Sequence, residues 1–443
     1  MCHSQYLGFQ RAVLVCGLLM LLMLTRAAAV ELSPELRLPA LDPTQPDIRR
    51  SAEPPRNVTP RSRPRPEVSP LGARIGPYHL FTRLDLKLSY NDNLFASDER
   101  TSSDLVRVLA PAVELRSDWS RHAVKLGGSF ASSRYEDFSR ENHDNWRVFA
   151  EGRLDLGRAS DVFGSASVAH EQEDRASPDS TLGAEPTNYQ VSEVGAGWRH
   201  PFGRFEAQLN GTARDYEFDQ INASGLPAGT LEGDDRNRQT LRGEGRLRYS
   251  MWPGYGVFLR GAYSTVDYDA TAPGGINRDS DGYETGLGLD LELTDLIFGN
   301  AFVGYYRQRY DASGFDTAGG LGFGADISWN VTRLSTLHFE AQRSVQEAVQ
   351  AGAAGYLSTD LGVELEHELL RNLLLVASSR QVNRRYDGID RQETLWQHSF
   401  GANYLTNRHL QLRLQVVHRQ QDGTAGGREF TQTFVEQSIV LQH

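Results

Sequence analysis

The chain has 443 residues, 39% hydrophobic content and a formal net charge of −11 at pH 7. Acidic residues outnumber basic ones, so the chain as a whole lacks the positive footprint of a nucleic-acid-binding protein and we expect no nucleic-acid partner. After the N-terminus, charged or polar residues interrupt every apolar stretch before it reaches the roughly twenty residues of a membrane-crossing helix. Later helical membrane spans are therefore excluded.

Residues 1–29 have the pattern of a cleaved secretory signal peptide. Arg11 precedes the apolar run 12–24, and small residues end with Ala29, after which we expect cleavage. A retained membrane anchor is the alternative, and the shortness of the apolar run disfavours it. Cys2 and Cys16 both lie inside this leader, so the exported chain would contain no thiol and no disulfide.

Residues 30–77 form a segment rich in proline and arginine. Eleven of the 18 prolines of the chain lie between Glu31 and Pro77. Such a composition favours extended conformations and cannot bury a core, so the sequence predicts a disordered periplasmic segment. It could tether the protein to peptidoglycan, anionic lipid or a partner, but a spacer is the favoured interpretation.

From Tyr78 to His443 the hydrophobic pattern changes to a period of two. In the first strand, Leu84 and Leu86 alternate with Arg83 and Asp85, and the same alternation recurs in strand after strand. A helix would mix these two sets, because its period is 3.6 residues. Alternation over segments long enough for a tilted crossing is typical of strands that span a membrane.

The connections between these strands alternate between short turns and long polar loops. Eight short turns and nine long loops make seventeen connections, which predicts eighteen strands. The predicted fold is all-β, a transmembrane antiparallel up-and-down β-barrel of about 18 strands over residues 78–443. An even strand count predicts that both termini are periplasmic. Aromatic residues near the strand ends suggest two girdles at the membrane boundaries.

A barrel of this size encloses more space than side chains normally fill, so we expect an aqueous lumen. The inward positions carry charges of both signs, and pairing across the wall is the favoured role over ion selectivity. The arginines of the strand ending at Tyr249 are the best candidates for an anion-attracting wall. The candidate lumen-lining residues are Arg83, Asp85, Arg214, Arg238, Arg242, Glu244, Arg246, Asp290, Asp326, Glu364 and Arg413.

Motifs for catalysis and metal binding are incomplete. His170 with Glu171, and His367 with Glu368, begin like zinc motifs but lack the second histidine. Residues 277–282 copy the first half of a calcium loop, with glycine at position 288 where a glutamate belongs. The sequence therefore predicts no catalytic residue, no cofactor, no metal site and no enzyme activity.

The short sequence Ser89–Phe95, followed by a series of long hairpins rich in arginine and poor in lysine, resembles a known family. This is the family of outer-membrane β-barrel porins associated with exopolysaccharide and capsule loci, and the resemblance covers roughly residues 78–443. It implies an outer-membrane barrel that acts in polysaccharide export, and it brings no catalytic residues.

Two functional classes follow for a barrel in the outer membrane of a Gram-negative bacterium. The first is a channel that assists export of an exopolysaccharide or allows passive diffusion of small solutes. The second is a non-conducting structural or surface-interaction barrel that acts through its extracellular loops, especially Glu217–Arg236. Expected partners are outer-membrane lipid and, for export, a polysaccharide and periplasmic export machinery. The oligomeric state is open.

Overall fold

The computed structural model describes residues 58–443 except 100, 158, 179, 181–184, 221–233, 272–276, 294–295, 316, 349, 351, 354 and 425–426. The expected signal peptide, and residues 30–57 of the proline-rich segment, lie outside the described residues. Within the described part, no helix is long and apolar enough to cross a membrane.

Long antiparallel strands account for most of the described chain, after one short strand. Two single-turn 3₁₀ helices lie in loops, at Ser139–Glu141 and Asp234–Arg236. The strands are β1 Ala73–Ile75, β2 Tyr78–Asn91, β3 Asp104–Ser117, β4 Ala123–Tyr135, β5 His143–Leu156, β6 Ser160–Gln172, β7 Asn188–Phe202, β8 Phe205–Phe218, β9 Arg238–Trp252, β10 Tyr255–Tyr268, β11 Ser280–Leu293, β12 Ile297–Tyr310, β13 Ala318–Thr332, β14 Ser335–Glu347, β15 Gly355–Leu370, β16 Leu373–Tyr386, β17 Gln392–Leu405, β18 Leu410–Gly423 and β19 Phe430–Gln442.

Strands β2 to β19 form a closed barrel. Each pairs antiparallel with its neighbour in the chain, and β19 pairs with β2 to close the sheet, with Gln442 opposite Arg83. The backbone N–H of His443 extends the closure by donating to the Thr82 carbonyl at 2.9 Å. Closure gives every strand two partners, so the barrel has no exposed sheet edge. The predicted up-and-down barrel of about 18 strands is confirmed.

The connections have the predicted alternation of length. Turns of two to five residues join β3 to β4, β5 to β6 and each following pair through β17 to β18, whereas the other nine connections have five residues or more. The residues at which the barrel begins and ends, Tyr78 and Gln442, therefore both lie at the short-turn end. This arrangement is usual for outer-membrane barrels.

The outer surface of the barrel is an apolar band. Leu259, Leu287 and Val303 face each other on adjacent strands, and they are 58%, 62% and 53% exposed. The same strands turn polar residues such as Arg260 and Glu284 to the inside. This inverts the burial pattern of a water-soluble protein, because hydrocarbon rather than water surrounds the outer face.

A charge placed on this outer face should destabilise the barrel. We expect Leu287→Arg, at the middle of β11, to lower the free energy of unfolding by about 2–4 kcal/mol in a bilayer. The matched control is Gln342→Arg, because Gln342 is exposed on the inner face opposite Gly324. Denaturant unfolding in lipid vesicles measures both, and equal losses would contradict the assignment of the two faces.

Phe202 and Trp252, at the short-turn end, lie outside, as expected for a girdle. Trp252 is 67% exposed. At the long-loop end the expectation is wrong for four tyrosines, which occupy inward positions beneath the loops and are 3–6% exposed: Tyr216, Tyr310, Tyr356 and Tyr386. Strand parity decides this, since a shift of one position moves a side chain to the other face.

The expectation of disorder over residues 30–77 is wrong for its described part, residues 58–77. Arg65 is 2% exposed, and β1 pairs with the start of β2. The physical reason is that arginines of this segment form ion pairs with acidic residues on the inner wall of β15. These partners follow about 300 residues later, so local composition gave no sign of them.

Candidate functional site in the barrel lumen

All eleven candidate lumen residues lie at inward positions of their strands. They do not form one cluster. Arg83, Asp85 and Arg413 lie near the seam between β2 and β19, and Glu364 lies on β15 beside Arg61. The others are on β8, β9, β11 and β13: Arg214, Arg238, Arg242, Glu244, Arg246, Asp290 and Asp326. Their effect on solutes stays a prediction.

A cavity of about 450 Å³ lies inside the barrel against strands β8 to β14. Four of the predicted residues line it, namely Arg214, Arg242, Glu244 and Asp326. The rest of its wall combines charged side chains such as Arg260 and Glu284, uncharged polar side chains, and apolar groups such as Val266, Val345 and the ring of Phe302. The charged and polar groups that line this compartment of the lumen suit it to water and hydrophilic solutes.

Ion pairs organise the charges on this wall. Glu284 accepts from Arg242 at 3.1 Å and from Arg260 at 3.4 Å, and Arg260 also contacts Glu244 at 3.2 Å. Asp290 accepts from both Arg246 at 2.5 Å and Arg248 at 2.7 Å. Glu284 thus bridges arginines of the neighbouring strands β9 and β10, whereas Asp290 bridges two arginines of β9.

Aromatic rings hold two of these arginines flat against the wall. The guanidinium of Arg246 lies 3.9 Å from the ring centroid of Phe258, and that of Arg260 lies 4.1 Å from the ring centroid of Phe302. Cation–π contacts of this kind restrict the long arginine side chains. The fixed positions make the wall a stable pattern of charge.

The charges nearly cancel in this network, which we call the paired wall. Its members are Arg242, Arg246, Arg248, Arg260, Glu244, Glu284 and Asp290, four positive and three negative. Pairing was the favoured role in the sequence analysis, and the contacts are formed. Arg248, Arg260 and Glu284 were absent from the candidate set, although their strand parity marked them as inward.

The loop that follows β6 folds into the long-loop end of the barrel. We call residues 173–178 of this connection the inward loop. Its Asp174 accepts from Arg419 of β18 at 3.1 Å. Arg428 donates to the carbonyl of Ser177 at 3.3 Å and to that of Arg175 at 2.5 Å. Four strands, β2 to β5, separate β6 from β19, so the loop reaches across the opening.

Other loops hold the inward loop from its remaining sides. Buried ion pairs join Arg175 to Glu141 and Glu173 to Arg236, both at 2.6 Å. Ala176 belongs to a buried apolar cluster with Val382, Leu395 and Phe430 of the opposite wall. The inward loop is thus a constriction of the long-loop end. The sequence analysis missed this constriction, because a polar loop has the same kind of sequence whether it folds into the barrel or away from it.

Acid should loosen the inward loop. Burial raises the pKa of Asp174, but Arg419 and a backbone N–H outweigh that effect, so its pKa lies below the usual 3.8. A depressed carboxyl pKa contributes stability above its ordinary value, and this is lost as pH falls through the lowered pKa. We expect conductance to rise only below about pH 4, and Asp174→Asn to remove this pH dependence. A rise near neutral pH would contradict the assignment.

One group of possible metal ligands occurs among the described residues. His338, Glu364 and Glu366 place ligand atoms within 4.8 Å of one another. The guanidinium of Arg61 lies in the same place, 2.7 Å from Glu364 and 3.2 Å from Glu366. A guanidinium that supplies the positive charge leaves this group without a need for a metal ion.

Residues 65–443 match the family model described as "Putative beta-barrel porin 2". The chain belongs to this porin family. No curated protein matches the sequence. The family and the closed barrel assign this porin to the bacterial outer membrane, and they point to a channel rather than an enzyme.

Solved structures of similar architecture come from Pseudomonas aeruginosa. The outer membrane protein OpdK with vanillate is 12% identical, with 82% of this chain and 99% of that chain covered and a TM-score of 0.44. The ferric enterobactin receptor PfeA mutant R480A in complex with enterobactin is 7% identical, with 82% and 81% covered and a TM-score of 0.46.

Proposed function

We propose that this porin is a passive channel for small hydrophilic solutes. The observation that carries the proposal is the polar cavity of about 450 Å³ inside a closed barrel whose outer face is apolar. A polar lumen inside an apolar band separates a water path from hydrocarbon, which is the arrangement a diffusion channel requires. The near balance of charge on the paired wall favours uncharged or zwitterionic solutes over strongly charged ones.

The two constrictions favour small solutes over a polymer. The inward loop crosses the long-loop end, and residues 58–69 lie against the inner wall at the short-turn end. A polysaccharide in transit would require both to move. The family resemblance leads us to expect export of an exopolysaccharide. Because of the two constrictions, we rank this export second to passive diffusion of small solutes as the function of the channel.

The proposed orientation follows from loop length. Outer-membrane barrels carry short turns on the periplasmic side and long loops outside. We propose the same here, so that the first barrel strand begins and the last barrel strand ends on the periplasmic side. The inward loop then belongs to the extracellular opening.

Swelling of vesicles that contain the porin, measured with sugars of graded size, tests the proposal. We expect monosaccharides to enter and long oligosaccharides to be excluded. Ready entry of long oligosaccharides would favour a polymer exit. Absence of swelling with every sugar, from protein shown to be folded, would contradict the channel and favour a barrel that acts through its loops.

A further inference from the structure

The structure contains an acidic row at the short-turn end of the lumen. Glu364, Glu366 and Glu368 occupy successive inward positions of β15, since residues two apart in a strand share a face. Glu366 and Glu368 have side chains only 5% and 6% exposed. Three neighbouring carboxylates in this setting need positive partners, because a buried uncompensated charge is costly.

Three arginines of the N-terminal segment meet this acidic row with the same spacing of two residues. Arg61 contacts Glu364 at 2.7 Å and Glu366 at 3.2 Å. Arg63 and Arg65 both contact Glu368, at 2.8 Å and 2.7 Å. The match between the two sets shows the chemistry that the row binds: planar guanidinium groups presented in series.

Turns at the rim hold the same segment. Arg65 donates to the carbonyl of Arg371 at 3.1 Å, Arg371 pairs with Glu67 at 2.9 Å, and Arg408 donates to the carbonyl of Pro66 at 3.0 Å. We call residues 58–69 the plug segment. It contains no strand, so it can leave without breaking the hydrogen-bond ladder of the barrel.

Proline makes docking of the plug segment less costly. Pro60, Pro64 and Pro66 restrict the backbone even when the segment is undocked. A restricted segment loses less conformational entropy on docking, and it can redock as a unit. The attachment includes four ion-pair contacts with the acidic row, whose strength a competing cation can match.

We propose that the acidic row is a binding site for guanidinium-bearing and related cationic solutes, and that the plug segment is its internal competitor. This rests on the proposed channel function. While the segment is docked, three positive charges neutralise three negative ones and the opening is narrowed. Once it is displaced, the row presents three carboxylates to the lumen, of which Glu366 keeps its contact with His338 at 3.2 Å, and the row attracts cations.

Two triple variants separate the plug from the site. Arg61→Gln, Arg63→Gln and Arg65→Gln together remove the competitor and keep the acidic row. Glu364→Gln, Glu366→Gln and Glu368→Gln together release the segment and also remove the row. Arg74→Gln is the matched control, because Arg74 belongs to the same lead-in but its side chain is 70% exposed.

We expect both triple variants to raise single-channel conductance at least about twofold, since a wider water-filled opening passes more ions. Only the arginine variant should become cation-selective, and only its current should be blocked by added triarginine. The control should resemble the parent. Block of both triple variants by triarginine, or of neither, would overturn the acidic row as the site.

Chemical labelling of the plug segment tests its displacement even if the protein does not conduct, so that failure of this proposal can be told from failure of the proposed channel function. Val68 is 7% exposed, so a Val68→Cys thiol should react slowly with a hydrophilic maleimide in the parent and faster in both triple variants. Unheated electrophoretic migration shows that each barrel is folded. Equal labelling rates in folded proteins would overturn the displaceable plug even if no variant conducts.

Discussion

Replacing Arg419 and Arg428 by glutamine should open the long-loop end, with a conductance increase of at least about twofold because pore cross-section limits ion flow. These arginines hold the inward loop from the far wall, through Asp174 and through the carbonyls of Ser177 and Arg175. The Asp174 side chain is 29% exposed and that of Arg419 10%, so removing Arg419 leaves a partly buried carboxylate without the arginine that it pairs with, at a cost in free energy. That cost falls on the docked loop, so the loop should leave.

The control replaces Arg107 and Arg309 by glutamine. Both side chains are 65% exposed and pair with Glu136 and Asp281 on the outer surface. Such exposed pairs contribute about 0–1 kcal/mol, so conductance should not change. Single-channel recordings compare the two double variants. Parent-like conductance of the Arg419 and Arg428 variant, with a folded barrel, would mean that the inward loop does not restrict the path.

Reversing Arg242 and Arg246 to glutamate should convert the lumen to strong cation preference. The paired wall carries four positive and three negative charges, so the parent should show only a weak anion preference. The double reversal leaves Arg248 and Arg260 against five carboxylates. Charged residues that line a narrow path set its ion selectivity, so the zero-current potential in a salt gradient should shift toward the cation value.

Two further variants control for the reversal. Arg107→Glu with Arg309→Glu makes the same change of charge outside the lumen and should leave selectivity unaltered. Arg242→Gln with Arg246→Gln should give an intermediate shift, with less repulsion near Asp290. Unchanged selectivity in the folded reversal variant would show that these arginines serve only to hold the wall together.

The barrel itself was predictable from the sequence, because strand parity is a local property. The alternation of Leu84 and Leu86 with Arg83 and Asp85 reports one strand, and the alternation of short and long connections reports how the strands are joined. Neither depends on a distant residue. The sequence therefore predicts eighteen strands, their boundaries to within a few residues, and most of the inward positions, although not those of the four tyrosines beneath the loops.

The constrictions could not be predicted in the same way, because they depend on contacts between distant residues. Arg63 meets a glutamate 305 positions later, and Asp174 meets an arginine 245 positions later. Composition correctly described residues 30–77 as proline-rich and unable to form a core of their own. It could not show that the wall of β15 would supply the missing charge.

The paired wall could be predicted in part, less well than the barrel strands but better than the constrictions. Parity placed Arg242 and Arg246 inside, but the identity of their partners depends on the register of three strands. Arg260 lies directly opposite Arg246, and this repulsive pairing is relieved by Glu284 and Asp290, which reach diagonally from β11, and by Glu244 of β9. Register of this kind is fixed by the whole sheet rather than by one segment.

Single-channel recording of the purified porin in planar bilayers is the most direct test of a water path through this barrel. We expect discrete, reproducible current steps with weak ion preference, increasing in size when the inward loop or the plug segment is released. Folded protein that inserts into the bilayer and gives no current steps, in the parent and in every variant, would contradict a conducting lumen.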